Sequence, residues 1–341
     1  MLTVRREKDA RVDEENYFVE FAPNTPPEIL LDTHIWLNMS RPEEQTLQRL
    51  KAELGFRFQY SVTNYVELLS QLAEGPTKKR KNPFGMVRGA FRKIKRLCEP
   101  EVLPPPEMAH LESAQLLHYL HPAWAPDAHQ TAIAVDLIAK ANTEGDITGI
   151  GIQTPASVQS PRCILNPRHY LQLTRIDDQS MTNIMKDLDA FNRGSLTKNN
   201  VDQLTPWFQK LATFFLLYRP SNGRTTMSDL LPDERNRFWA SFTMGPGRMF
   251  HAHLTLIAIK TINWGERVDP NDLYDAMQLL LLTDRRLFIS NEKNFLRHTK
   301  DSCVQHVLPW KHSRSFLPSS DENSCGWRRA GRPSALAFIF C

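Results

Sequence analysis

Five acidic side chains stand where they could meet: Asp32, Glu67, Asp272, Asp275 and Glu292. Asp32 closes an apolar run, Ile29-Leu30-Leu31, that reads as a buried parallel strand. A carboxylate in that place lies at the carboxyl end of a sheet, where open α/β sheets bind their ligands. Glu67 falls one turn into the helix expected after the second strand. Asp272 and Asp275 are three apart, so one helix side can present both. Glu292 follows a strand ending at Ser290. Hard divalent cations, Mg2+ or Mn2+, take oxygen ligands of this kind and retain some of their waters. One or two such ions would polarise a phosphodiester, generate a hydroxide and steady the leaving oxygen.

Taken singly, each of these residues has an ordinary structural use. An Asp after a buried strand caps a helix or forms a turn. Glu67 could be a solvated helix residue. Asp272 suits the first turn of a helix beginning at Pro270. Asp275 and Glu292 could simply be exposed. The joint pattern, not any one member, points to a metal site.

The elements that would position them alternate. Strand one is 28–32. Pro42, with Glu43 and Glu44 behind it, opens a helix with Leu47, Leu50 and Leu54 on its apolar face, and Gly55 closes it. Phe56 to Tyr60 reads as strand two, and Ser61 or Thr63 caps a helix that stops at Gly75-Pro76. This alternation predicts a parallel sheet. It then breaks off, with Leu103-Pro104-Pro105-Pro106 as a rigid interruption. Residues 107–265 read mostly as helices, among them Trp207–Tyr218 and Met249–Trp264. The alternation resumes with a helix from Asp269 to about Leu282, a strand at Arg286–Ser290, a further helix, and a last strand at Val304–Leu308. The expected fold is α/β: a small, mainly parallel sheet flanked by helices, with a long, mostly helical insertion. Residues 1–27 are read as a polar lead-in, 28–75 and 268–308 as the core, 76–267 as the insertion and 309–341 as an irregular tail.

Four segments carry a family resemblance. Ile29-Leu30-Leu31-Asp32-Thr33, Ser61-Val62-Thr63-Asn64-Tyr65-Val66-Glu67-Leu68, Asn271-Asp272-Leu273-Tyr274-Asp275-Ala276 and Phe288-Ile289-Ser290-Asn291-Glu292-Lys293-Asn294-Phe295 resemble, in this order, the signature segments of PIN-domain nucleases. In that family they supply a strand-end Asp, a helical Glu, an Asp before a small residue, and a strand followed by Thr-x-Asp. Ser290 and Glu292 stand where Thr and Asp are usual, which keeps the hydroxyl and the carboxylate. The stretch 76–267 is far longer than the central helices of a compact member. The resemblance implies a PIN-like core and a metal-dependent nuclease that hydrolyses phosphodiester bonds, an endoribonuclease in particular. Asp32, Glu67, Asp275 and Glu292 would bind Mg2+ or Mn2+. Asp272 would be a further catalytic acid or ligand, and Ser290 and Thr33 would orient the carboxylates. A second reading keeps the fold without the chemistry: a non-catalytic PIN-like scaffold for RNA or a partner, motivated by the change to Glu292. A nucleotide-binding α/β protein is disfavoured because no Gly-rich loop follows strand one.

The densest basic group follows the Glu67 helix: Lys78, Lys79, Arg80, Lys81, Arg92, Lys93 and Arg96. It is expected to hold the phosphate backbone beside the acidic pocket; the alternative is a solvated charged face. Composition is that of a soluble globular protein, with 41% hydrophobic and 23% charged residues, and the net charge of +4 permits nucleic-acid binding without requiring it. The five cysteines show no CxxC pairing and read as reduced thiols of a cytoplasmic protein. The charged N-terminus does not read as a signal peptide, and no apolar run reaches the ~20 residues of a membrane helix. RNA or another single-stranded nucleic acid is the expected substrate, with no membrane partner; a protein partner or inhibitor and an oligomer are compatible with this. His118, His121, His251 and His253 lack zinc spacing and read as helix-surface histidines, Gly149-Ile150-Gly151 as a turn.

Overall fold

The computed structural model describes residues 2–9, 14–22, 24–73, 76, 81–119, 128–147, 183–197, 199–219, 223–224, 226–245, 247–266, 270–301, 306–310 and 336–340. Two strands come first, β1 (Thr3–Asp9) and β2 (Glu14–Phe21), paired antiparallel. Then comes β3 (Glu28–Leu31), the middle strand of a five-stranded parallel sheet. β4 (Arg57–Ser61) pairs on one side of it and β8 (Arg286–Ser290) on the other, with β5 (Cys98–Leu103) and β9 (Val307–Pro309) at the edges. β6 (Tyr218–Arg219) and β7 (Gly223–Arg224) make a separate small pair, and β10 is Leu336–Phe340.

The central strand is apolar on both faces because both are covered. Ile29 and Leu31 enter one core and Leu30 the other. The first core is closed by α1 (Thr33–Asn38), α2 (Arg41–Leu54), α3 (Val62–Ala73), α4 (Pro83–Leu97) and α6 (Ala128–Lys140). The second is built by α5 (Pro106–Ser113), α7 (Thr205–Leu216), α8 (Pro232–Thr243), α9 (Arg248–Trp264), α10 (Pro270–Met277) and α11 (Lys293–Asp301). Helix signals in the chain are used as read. Gly55 (φ 70°) and Gly265 (φ 68°) end α2 and α9 in the left-handed conformation that spares glycine a Cβ clash. At the amino edge, Arg286 joins three strands, donating to Gln59 Oε1 at 2.9 Å and to Glu28 Oε2 at 2.7 Å.

The α/β expectation stands, with four corrections to its boundaries. The lead-in 1–27 holds β1 and β2, and Val4, Val19 and Phe21 are buried in the first core. The tail 309–341 is not wholly irregular: β10 pairs antiparallel with β2, and Trp310 is buried. The insertion does not begin at 76. α4, β5 and α6 belong to the sheet and its first covering layer, so the added helices are α5, α7, α8 and α9, which build the second core together with α10 and α11. Cys98-Glu99-Pro100-Glu101 has the look of a loop, yet β5 is an edge strand, which tolerates an exposed proline and an exposed acid, Glu101. The last strand runs Val307–Pro309 rather than Val304–Leu308.

Candidate functional site

The strand order β5-β4-β3-β8-β9 reverses direction between β3 and β8. Connections leave those two strands toward opposite sides, which opens a crevice outside their carboxyl ends. Asp32 leaves the first strand and Ser290 ends the second. The Ser290 hydroxyl donates to Asp32 Oδ2 at 2.6 Å. The Glu292 backbone N–H donates to the same hydroxyl at 3.0 Å. One buried serine thus fixes Asp32 to the turn that presents Glu292. The other Asp32 oxygen, Oδ1, accepts from His34 N at 3.2 Å and caps α1. Asp32 therefore fills its bland structural role and keeps its place at the crevice.

A second buried network positions Glu67. Ser61 and Asn64 bond reciprocally at the start of α3: Ser61 N donates to Asn64 Oδ1 at 3.0 Å, and Asn64 N to Ser61 Oγ at 3.2 Å. The Asn64 amide then crosses to the neighbouring strand. It donates to Leu31 O at 3.2 Å and to Thr33 Oγ1 at 2.9 Å. With its oxygen lone pair so occupied, the Thr33 hydroxyl donates to the Glu67 carboxylate. Asn64 lies in the motif segment Ser61–Leu68 three positions before Glu67. Its Ser-x-x-Asn spacing signals a helix cap, but its reach across to β3 exists only in three dimensions.

α10 completes the group. Asp272 is buried, Asp275 half-buried and Glu292 exposed. In the metal-free protein the Asp275 carboxyl is pushed up to about 8, first by burial and then by the like charges of Asp32, Glu67, Glu292 and Asp272. All five acidic candidates therefore share one electrostatic neighbourhood. The donor set is all oxygen, crowded with like charge and buttressed by hydroxyls, which fits a hard divalent cation in kind. As the side chains lie, no three acidic, His or Cys groups among the described residues close on one point as a metal requires.

Compared with protein-family models, curated proteins and solved structures, the chain matches none.

Three members of the basic group, Arg92, Lys93 and Arg96, are bonded to neighbouring elements. α4 buries Val87, Ala90, Phe91, Ile94 and Leu97 along one stripe, which draws its cations down beside that stripe. Arg92 Nε donates to Ala139 O at 2.8 Å, Lys93 Nζ to Trp36 O at 3.0 Å, and Arg96 Nε to Glu44 Oε1 at 2.6 Å. These three residues tie α4 to its neighbours. Lys81 is exposed, while Lys78, Lys79 and Arg80 lie outside the described residues, as do His121 and Gly149–Gly151. The histidine expectation is corrected. His253 is fully buried among the α9 and α11 side chains, and burial pushes its pKa down to about 3, so it stays neutral. His251 is half-buried, and His118 is exposed as expected. Cys98 is a buried free thiol; the other cysteines lie outside the described residues. Among the described residues, no helix is long and apolar enough to cross a membrane.

Proposed function

We propose that this chain is a PIN-like, metal-dependent nuclease, a hydrolase of RNA phosphodiester bonds. The observation that carries the reading is the buttressing of two acids at the switch point of a parallel sheet: Ser290 holds Asp32 at 2.6 Å and Thr33 holds Glu67, and both acids, with Asp272 and Glu292, raise the pKa of Asp275. A fold has little reason to gather so much like charge unless a cation offsets it. Asp32, Glu67, Asp275 and Glu292 would hold Mg2+ or Mn2+, with Asp272 behind them. Bound there, the ion would supply Lewis acidity toward the phosphate and lower the pKa of a coordinated water. The chain's own contribution is orientation. Ser290 holds Asp32, and Thr33, itself held by Asn64, holds Glu67.

The test is cleavage of a labelled single-stranded RNA with Mg2+ or Mn2+, with Asp32→Asn run beside the wild type. Cleavage by the wild type and none by the variant is the expected result. Equal cleavage by both would end the reading. The non-catalytic alternative, a scaffold that binds RNA or a partner, draws on one observation: Glu292 is exposed and the carboxylates do not close on one point. Metal binding without cleavage of RNA or DNA would favour it.

A further inference from the structure

The substrate strand needs a holding surface, and Arg92, Lys93 and Arg96 of α4 are already bonded to neighbouring elements. Among the described residues, the most exposed aromatic side chain of the large hydrophobics is Trp264, 64% exposed at the last position of α9. Its indole offers solvent a large, flat face that is apolar in its body and polar at its N–H. Gly265 follows in the left-handed conformation and turns the chain toward α10, which carries Asp272 and Asp275. The guanidinium of Arg193 lies against that turn: its Nη2 would be 3.1 Å from a Cβ on Gly265. From the other side comes α11. Its Arg297 places Nη2 3.6 Å from Glu266 Oε2, and His298 places Nε2 3.7 Å from the same oxygen. His298 in turn stands in the field of Asp272. α9 packs on α10 and α11, so Trp264 and Glu266 stand eight and six positions before Asp272, at the end of α9 that leads to the carboxylate group, with His298 buried beneath. Arg193, Arg297 and Lys293 are exposed. The Arg297–Glu266 contact is long and solvated, a kind of pair that holds its cation weakly.

We propose that Trp264, flanked by Arg193 and Arg297, is the platform on which a single-stranded nucleic acid lies as its backbone enters the carboxylate cluster. This rests on the nuclease reading for its substrate class. An indole face accepts any base by stacking, and guanidinium groups take the phosphates on either side. Such a platform answers the repulsion that five carboxylates present to a phosphate backbone. It also selects against duplex, whose bases are already stacked on one another and not available to the ring.

The experiment measures binding of a fluorescein-labelled single-stranded oligoribonucleotide by anisotropy, with Ca2+ as the divalent cation. Wild type is compared with Trp264→Ala, Trp264→Phe, Arg297→Gln and, as a control for loss of an exposed apolar side chain, Met244→Ala, a residue 83% exposed. Trp264→Ala should weaken binding about tenfold or more. Trp264→Phe should retain most of the affinity, and Arg297→Gln should lower the salt slope by about 1. Met244→Ala and melting temperatures should not change. A duplex of the same sequence should compete poorly. Wild-type affinity in Trp264→Ala, or no binding of the oligoribonucleotide by the wild type, overturns the platform. Cleavage is scored separately with Mg2+ or Mn2+. Tenfold weaker binding in Trp264→Ala together with no cleavage by the wild type keeps the platform and ends the nuclease reading. Cleavage by the wild type with an unchanged KM in Trp264→Ala does the reverse.

Discussion

Along α4 every cation from Arg88 to Arg96 has an internal partner, whereas at the carboxyl ends of β3 and β8 five carboxylates share one electrostatic neighbourhood. Arg88 and Arg92 donate to carbonyls at the end of α6, Lys93 to Trp36 O, Lys95 pairs with Asp136 and Arg96 with Glu44. Cations at a helix C-terminus satisfy carbonyls that the helix leaves open. The α4 charges therefore stabilise the fold and have little left to offer a ligand. The acidic group does the opposite. Its members are bonded from outside by Ser290, Thr33 and the His34 N–H, so they are held in position while still repelling one another. A charge run in a sequence shows where charge is, not whether the fold has already used it.

The comparison breaks first if the acidic group is not chemical. Asp32→Asn and Asp275→Asn should each reduce metal-dependent RNA cleavage at least about a hundredfold, read as initial rates at saturating Mg2+ or Mn2+. Positioning residues should matter less. Ser290→Ala and Asn64→Ala should lower activity or metal affinity about 10–100-fold, and Ser290→Thr should keep it. Losses in Ser290→Thr as large as in Ser290→Ala would mean that the site needs the serine's size, not its hydroxyl.

Stability of the metal-free protein sharpens the contrast. The Asp275 pKa is raised on folding, to about 8. The folded chain thus keeps a proton that the unfolded chain has lost, and stability falls as pH rises from about 4 through 8. Below the unfolded pKa both states are protonated and the penalty vanishes; above about pH 8 it is complete. Asp275→Asn should remove this slope and stabilise the protein at pH 8 by up to about 3 kcal/mol, seen as a higher melting temperature in EDTA. Mg2+ or Mn2+ should give a similar rise in the wild type. An identical slope in wild type and variant would place the repulsion elsewhere.

The smallest effects belong to α4. Arg92→Gln, Lys93→Gln and Arg96→Gln should each cost about 1 kcal/mol of stability, as lost hydrogen bonds do. Together they should leave the salt slope of RNA binding unchanged, unlike Arg297→Gln. A reduced slope in the triple variant would restore α4 as a nucleic-acid surface.

Local pattern alone determined much of this protein. The run Ile29–Leu31 must be covered on both faces, so a parallel sheet was legible from it, as was the place of Asp32 at its end. Period and punctuation located α2, α9 and β8, since apolar spacing, glycine and proline act over a few residues. Where a strand is an edge, as in β5, or pairs across the length of the chain, as β10 does with β2, burial does not follow a local period and the sequence alone did not reveal it. The tertiary structure decided what the charges do. Ser290 and Asp32 lie 258 positions apart and meet at 2.6 Å because β3 and β8 pair. Arg92 and Arg96 lie in a basic run and yet end on Ala139 O and Glu44, because the apolar stripe of α4 turns that face inward. Electrostatic partners are set by distance in space, and distance in space is what a linear sequence does not hold.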